Sequence, residues 1–154
     1  MNMDILPKIL ATGLGTGFAP KAPGTAGSIL AIILYYLFFP STPSVLIHFI
    51  FFLIIAAVFL TGVWASGRVE SYYGHDPACV VIDEMVGMGI TLLLIPKTVY
   101  LIFAGFLLFR FFDITKWLGA NRMQRLKGGW GVMMDDVVAG VWSNLVLQVI
   151  VWLV

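Results

Sequence analysis

Cysteine, histidine and charge are all scarce in this chain. Cys79 stands alone among 154 residues, which excludes an intramolecular disulfide and any multi-cysteine metal site, so a small packing role is expected of it. There are two histidines, His48 and His75. His48 has no polar neighbours and is expected as an interfacial side chain rather than a ligand. Charged residues make up 11% of the chain, against about 25% in an average globular protein. The formal net charge is +1, and the few basic residues form no patch of the kind that nucleic-acid binding requires. The opening Met1–Lys8 stretch lacks the basic start, apolar core and small-residue cleavage site of a signal peptide, so the first apolar segment is expected to stay in place.

What is abundant is apolar surface. Hydrophobic residues account for 60% of the chain and the mean hydropathy is +1.00, the profile of an integral membrane protein with one domain over residues 1–154. The pattern predicts an all-α, small polytopic membrane helical bundle with about four to five membrane segments, some short or re-entrant. Ile29 to Phe39 is about half the ~20 residues that span a bilayer, and is read as a re-entrant helix or as one extended backward through Gly24-Thr25-Ala26-Gly27-Ser28. Pro40-Ser41-Thr42-Pro43 turns the chain, and Val45 to Ala65 is a full-length span. An apolar run to Ile95, a Pro96-Lys97-Thr98 turn and a return over Val99 to Phe112 follow, both runs being short for spans. Val137 to Val154 is the last span, with Trp142 and Trp152 suited to the interfaces.

Polar residues collect between these runs. Five crossings from a cytoplasmic N-terminus place residues 1–28, 66–84 and 113–136 on the inside. Counting Arg110 with the inner side, eight of the nine basic residues (Lys8, Lys21, Arg68, Arg110, Lys116, Arg122, Arg125, Lys127) then lie inside and only Lys97 outside, in agreement with the positive-inside rule. All eight acids fall on the same side: Asp4, Glu70, Asp76, Asp83, Glu84, Asp113, Asp135 and Asp136. Asp83 and Glu84 are flanked by apolar residues, where an ionised carboxylate is costly unless paired or bound to metal. Asp135 and Asp136 follow the Gly128-Gly129-Trp130-Gly131 turn, either as caps of a helix beginning near Val137 or as ligands. Arg110, Asp113 and Lys116 are spaced i, i+3, i+6 along one helical face, as an anion site or as an ion-pair ladder. The Gly/Pro-dense stretch Gly13 to Ser28 lacks the phosphate-loop pattern of P-loop proteins. Its N–H groups with the hydroxyls of Thr25 and Ser28 make an anion cradle, the plain alternative being a connector whose Ser28 caps the next helix.

Carboxylates at the cytoplasmic ends of several segments repel unless a cation joins them. An oxygen-only donor set points to Mg²⁺ or Mn²⁺ rather than zinc. With Arg110 and Lys116 nearby, and a site at headgroup depth, the chemistry indicated is metal-assisted hydrolysis of a phospholipid phosphate ester. Rival routes fail on missing residues. The sixth residue after Cys79 is Met85, not the arginine of a cysteine phosphatase, and the two histidines do not form the paired motifs of a histidine-nucleophile lipid phosphatase. Neither an Asp-x-Asp nucleophile nor the acidic series of CDP-alcohol transferases is found.

Four blocks then resemble one family, the phosphatidylglycerophosphatase A family: Pro23-Gly24-Thr25-Ala26-Gly27-Ser28, Asp83-Glu84-Met85-Val86-Gly87-Met88, Phe109-Arg110-Phe111-Phe112-Asp113-Ile114-Thr115-Lys116, and Gly128-Gly129-Trp130-Gly131 through Asp135-Asp136-Val137-Val138-Ala139-Gly140. The resemblance implies an α-helical enzyme of the bacterial inner membrane, its site facing the cytoplasm, that removes the terminal phosphate of phosphatidylglycerophosphate with Mg²⁺. It implies no oligomeric state. Trp117 follows Lys116 where the family usually has proline, so the helix is expected to continue past Lys116. On this reading Asp83, Glu84 and Asp136 hold Mg²⁺, Asp113 or Asp135 is base or nucleophile, Arg110 and Lys116 hold the phosphate, and Thr25 and Ser28 assist. Two other classes compete. A small cation transporter would place its acids near the bilayer midplane between repeats, whereas these lie at one face and no repeat is apparent. A structural subunit would lose folding rather than turnover when its charges are removed.

Overall fold

In the computed structural model the described residues are 5–74, 77–117, 123 and 126–153, and among them no strand occurs. Among the described residues six helices have bounds, in order α1 (Ile5–Ala11), α2 (Pro23–Phe38), α3 (Val45–Tyr73), α4 (Ile82–Leu92), α5 (Val99–Thr115) and α6 (Gly129–Leu153), with a 3-10 turn at Thr16–Phe18 between the first two. Asp4, Asp76, Arg122 and Arg125, used above for orientation, and His75 lie outside the described residues.

Among the described residues two helices are long and apolar enough to cross a membrane, α3 with 29 residues and α6 with 25. At 1.5 Å per residue α3 runs about 43 Å, longer than the ~30 Å hydrocarbon layer. Its extra turns, from Ser66 to Tyr73, carry Arg68 and Glu70. Ser44 starts it, accepting the Ile47 N–H at 3.4 Å, and Thr98 does the same for α5 through Leu101 N–H at 3.4 Å. The remaining apolar helices are shorter, with 16, 11 and 17 residues in α2, α4 and α5.

Several sequence boundaries move. α2 begins at Pro23, so the Gly24 to Ser28 stretch is helical, and Ser28 lies inside the helix instead of capping it. Proline at the first helical position explains the start, because its ring presets φ and its missing N–H is one the helix does not use. α6 begins at Gly129, so Asp135 and Asp136 sit in its second turn and are not caps. α5 ends at Thr115, with Lys116 in the left-handed conformation (φ 52°, ψ 34°), so the helix does not continue past it. That sharp end returns the Lys116 side chain toward Asp113 three residues earlier.

The short α4 is the axis of the bundle, packed against α2, α3, α5 and α6. One apolar core gathers Ile55, Val69, Ile82, Val86, Val132 and Met133, and a second gathers Tyr35, Met88, Leu92, Phe109 and Phe112. Where α4 crosses α6 the backbones nearly touch: a Cβ on Gly140 would lie 2.5 Å from the Gly87 carbonyl oxygen. The crossing needs glycine at both positions, and it brings the N-terminal turn of α4 beside the acidic turn of α6.

An 11-residue helix ending inside an apolar bundle leaves carbonyls without helical partners. Asn144 of α6 resolves this, donating its amide hydrogens to the carbonyls of Thr91 (3.0 Å) and Leu93 (2.7 Å). Leu94 takes φ 63° and the chain turns through Pro96. Lys97 then reaches back to the C-terminal carbonyls of α2, Tyr36 at 2.7 Å and Phe39. Cations near a helix C-terminus are favoured by its dipole.

Candidate active site

At the end of the bundle opposite Lys97, four helix ends meet around a cavity of about 300 Å³. α4 contributes Asp83 and Glu84 from its first turn, α5 contributes Arg110, Asp113 and the terminal Lys116, α6 contributes Asp135 and Asp136, and the start of α2 contributes Ala22, Pro23 and Gly24. Pro77, Ala78 and Val80 complete the wall. The first turn of α4 favours negative side chains through its dipole, a local reason for two acids there.

The cations knit part of this set together. Arg110 Nη1 donates to Asp113 Oδ2 at 2.6 Å. Lys116 Nζ donates to Asp113 Oδ1 at 2.9 Å, Asp135 Oδ2 at 2.7 Å and Asp136 Oδ1 at 3.4 Å. Asp135 Oδ1 also accepts the N–H of Asp136 at 3.1 Å. Burial works against the Lys116 ammonium, but Asp136, Asp135 and Asp113 outweigh it and hold its pKa above the ordinary lysine value. Lys116 is therefore a fixed positive charge at neutral pH, not a base.

The other acids are differently placed. One oxygen each from Asp83, Glu84 and Asp136 lie within 4.8 Å of one another. Asp83 Oδ1, Glu84 Oε2 and Asp136 Oδ2 are buried with no hydrogen-bond partner among the described residues. Asp136 is 2% exposed and Asp83 8%. Buried carboxylate oxygens without partners are expensive, and three carboxylates that bring one oxygen each within 4.8 Å of the others suit a hard divalent ion such as Mg²⁺.

Of the residues singled out in the sequence, Asp83, Glu84, Arg110, Asp113, Lys116, Asp135 and Asp136 all line this one cavity. Thr25 and Ser28 do not. The Ser28 hydroxyl is buried and donates to the Gly24 carbonyl at 2.9 Å, bonding along its own helix. Of the wall residues, Ala22, Pro23 and Gly24 belong to the stretch whose N–H groups the sequence offered as an anion cradle, while Pro77, Ala78 and Val80 carry no such signal. The Pro-Gly step held a usable signal, since it marks a helix start at which backbone comes close to other groups.

A family model described as Phosphatidylglycerophosphatase A matches residues 9–151. The phosphatidylglycerophosphatase A of Escherichia coli is 36% identical over 149 residues, covering 92% of this chain and 81% of that protein. The phosphatidylglycerophosphatase A of Haemophilus influenzae is 37% identical over 142 residues, covering 90% and 85%. A Bacteroides thetaiotaomicron protein provisionally named phosphatidylinositol-3-phosphatase is 43% identical over 154 residues, covering 98% and 97%. No solved structure matches the chain.

Proposed function

Since the chain belongs to the phosphatidylglycerophosphatase A family, we propose that it hydrolyses the terminal phosphomonoester of phosphatidylglycerophosphate to phosphatidylglycerol and inorganic phosphate, with Mg²⁺ held by Asp83, Glu84 and Asp136. The observation that carries this reading is the convergence, in one cavity, of three carboxylates with unpartnered oxygens and two cationic side chains. The relatives are bacterial. We place the protein in the inner membrane with four to five membrane segments, α3 and α6 crossing and the shorter helices packed between them, and with the site at the cytoplasmic face.

Asp83, Glu84 and Asp136 would hold Mg²⁺, whose chemistry there would be to polarise a phosphoryl oxygen and to make water a better nucleophile at neutral pH. The chain's residues supply the rest. Arg110 and Lys116 balance the charge that develops on the phosphoryl oxygens. Each is tied to Asp113 at rest, which keeps both heads at the cavity while substrate is absent. Asp113 or Asp135 accepts the proton of the attacking water as its oxygen bonds to phosphorus. The phosphorus–oxygen bond to the glycerol breaks, and the alkoxide takes the proton that the aspartate has accepted and leaves as alcohol. Lys116 contacts both candidate bases, holding them by charge and hydrogen bonding.

The test is phosphate release by purified protein from phosphatidylglycerophosphate in mixed micelles, with Mg²⁺, without it, and with EDTA. Metal-dependent release is expected. No release by folded protein in several detergents and lipid mixtures would overturn the assignment and move ion flux in liposomes forward. A second reading, phosphatidylinositol 3-phosphate as the preferred substrate, is favoured by the name of the 43% identical relative. Running both lipids side by side distinguishes the two by the ratio of their kcat/KM values.

A further inference from the structure

We propose that α1 and the turn after it form a docking surface for the anionic headgroup layer of the membrane, with Ile5, Leu6, Ile9, Leu14 and Phe18 entering the interface and Lys8 and Lys21 meeting the negative headgroups. This concerns how the site end of the bundle sits on the bilayer, and it holds whichever lipid is hydrolysed.

α1 has seven residues and is too short to hold its shape unaided. Its inner side is covered, because Pro7 and Ala11 are buried and Ala11 shares an apolar core with Ala65 and Val69 of α3. Its outer side is apolar as well: Ile5 is 74% exposed, and Leu6 and Ile9 are exposed beside it. The turn continues this surface. The Leu14 N–H donates to the Ile9 carbonyl at 2.9 Å, and Lys8 Nζ lies 5.2 Å from the centroid of the exposed Phe18 ring. Leu14 holds φ 58°, a conformation unfavourable for a residue with a side chain, and is 72% exposed there. A contiguous apolar surface of this kind marks a contact with something else.

Depth and charge select the partner. Counted from Val45, about 30 Å of helix brings α3 to Ala65, so Ala65 and Val69, against which α1 packs, stand at the edge of the hydrocarbon layer and just beyond it. Trp64, Tyr72 and Tyr73 are exposed on the same part of α3, and aromatic side chains collect at that depth. α1 therefore lies at the level of the headgroups. From Ile5 to Ala22 the chain carries Lys8 and Lys21 and no acid, which matches an anionic layer and not a zwitterionic one. The surface is also fixed to the site. The Ala11 carbonyl accepts the Val81 N–H at 2.9 Å immediately before α4, and a Cβ on Gly17 would collide with the Cys79 carbonyl. Docking thus steadies the segment that leads into Asp83 and Glu84 and that gives Ala78 and Val80 to the cavity wall.

The test places a fluorescent amino acid at position 14 of the full chain in nanodiscs of equal parts phosphatidylcholine and phosphatidylserine, a nitroxide quencher being carried by one lipid at a time. The fluorophore is expected to be shielded from aqueous iodide and to be quenched more by nitroxides near the headgroup than by nitroxides deep in the chains. Phosphatidylserine is expected around it in about fivefold excess over phosphatidylcholine, the order set by two lysines at a charged surface. The Lys8→Gln/Lys21→Gln chain is expected to lose that excess and keep the depth. Should it fail to fold, raising salt to about 1 M, where screening acts within about 3 Å, is expected to remove the excess from the chain with both lysines. Ready quenching by iodide overturns the proposal, as does shielding with no response to any lipid nitroxide, the pattern of a protein partner or a second copy. Stronger quenching by deep nitroxides, or an equal response to the two lipids, defeats it too. None of these readings uses phosphate release, so the proposal and the phosphatase assignment fail separately.

Discussion

At Asp136 one carboxylate oxygen contacts Lys116 at 3.4 Å while the other is buried without a partner among the described residues. A carboxylate so placed costs stability, because like charges in a dry site repel. Asp136→Asn keeps the shape and removes one charge. Its melting temperature in EDTA is expected to rise above that of the unaltered protein, while its Mg²⁺ affinity, read from the metal dependence of phosphate release, falls by at least about tenfold. Lys116 is the opposite case, the shared counter-charge of three carboxylates with a side chain 22% exposed. Lys116→Gln leaves those carboxylates uncompensated and is expected to cost roughly 2 to 3 kcal/mol in detergent unfolding, less than for a fully buried pair. The sign of the pH dependence follows from the raised pKa. Stability from a lysine raised on folding is fully present below its unfolded value of 10.5 and is lost only as pH climbs toward the folded one. Comparison of the two proteins should therefore show the same lysine contribution at pH 7 and pH 9.

At the scale of elements, the instructive one is α4, too short to cross a bilayer at 11 residues yet central to the packing. Its N-terminal turn delivers two acids to the cavity, and its C-terminal carbonyls end inside the bundle on the amide of Asn144. Asn144→Leu keeps the bulk and strands both carbonyls, an expected loss of about 1 to 3 kcal/mol for groups left unsatisfied. The substitution lies at the far end of α4 from the acids, so Mg²⁺ affinity per folded molecule should hold while the detergent melting temperature falls. A drop in metal affinity with unchanged stability would contradict this division of labour within the helix. The Gly87–Gly140 crossing has a related purpose, for the same close approach that packs α4 on α6 sets Asp83 and Glu84 next to Asp136.

For the whole molecule, the described acids of the site and Cys79 lie toward one end of the bundle and Lys97 toward the other. In the proposed orientation the acidic end is cytoplasmic. Cys79 is the single cysteine of the chain and is partly exposed, so it reports orientation without mutation. A membrane-impermeant maleimide is expected to label it in inverted membrane vesicles and to leave it unlabelled in right-side-out ones. The reverse pattern would put the site on the outer face.

Composition alone was enough to determine a helical, strongly apolar chain, because so few charges and so much hydrophobic surface leave little besides membrane helices. The scarcity of cysteine and histidine likewise narrowed the chemistry to carboxylates, arginine and lysine, and all seven such residues chosen from the acidic and basic motifs line one cavity. Helix ends were less legible, because they depend on contacts remote in sequence. Asp135 and Asp136 read locally as either caps or ligands, and the cap alternative falls because the helix begins six residues earlier, at Gly129, where the chain packs against the Val63 backbone of α3. Thr25 and Ser28 read as ligands beside the N–H groups of their glycine-rich stretch, but that stretch is helical from Pro23 on, and only Ala22, Pro23 and Gly24 of it line the cavity. Which oxygens stay unpartnered, which cation serves which acid, and how α4 ends inside the bundle were decided only by the tertiary structure. Those properties belong to the packing of four helix ends against one another, and no single stretch of the chain contains them.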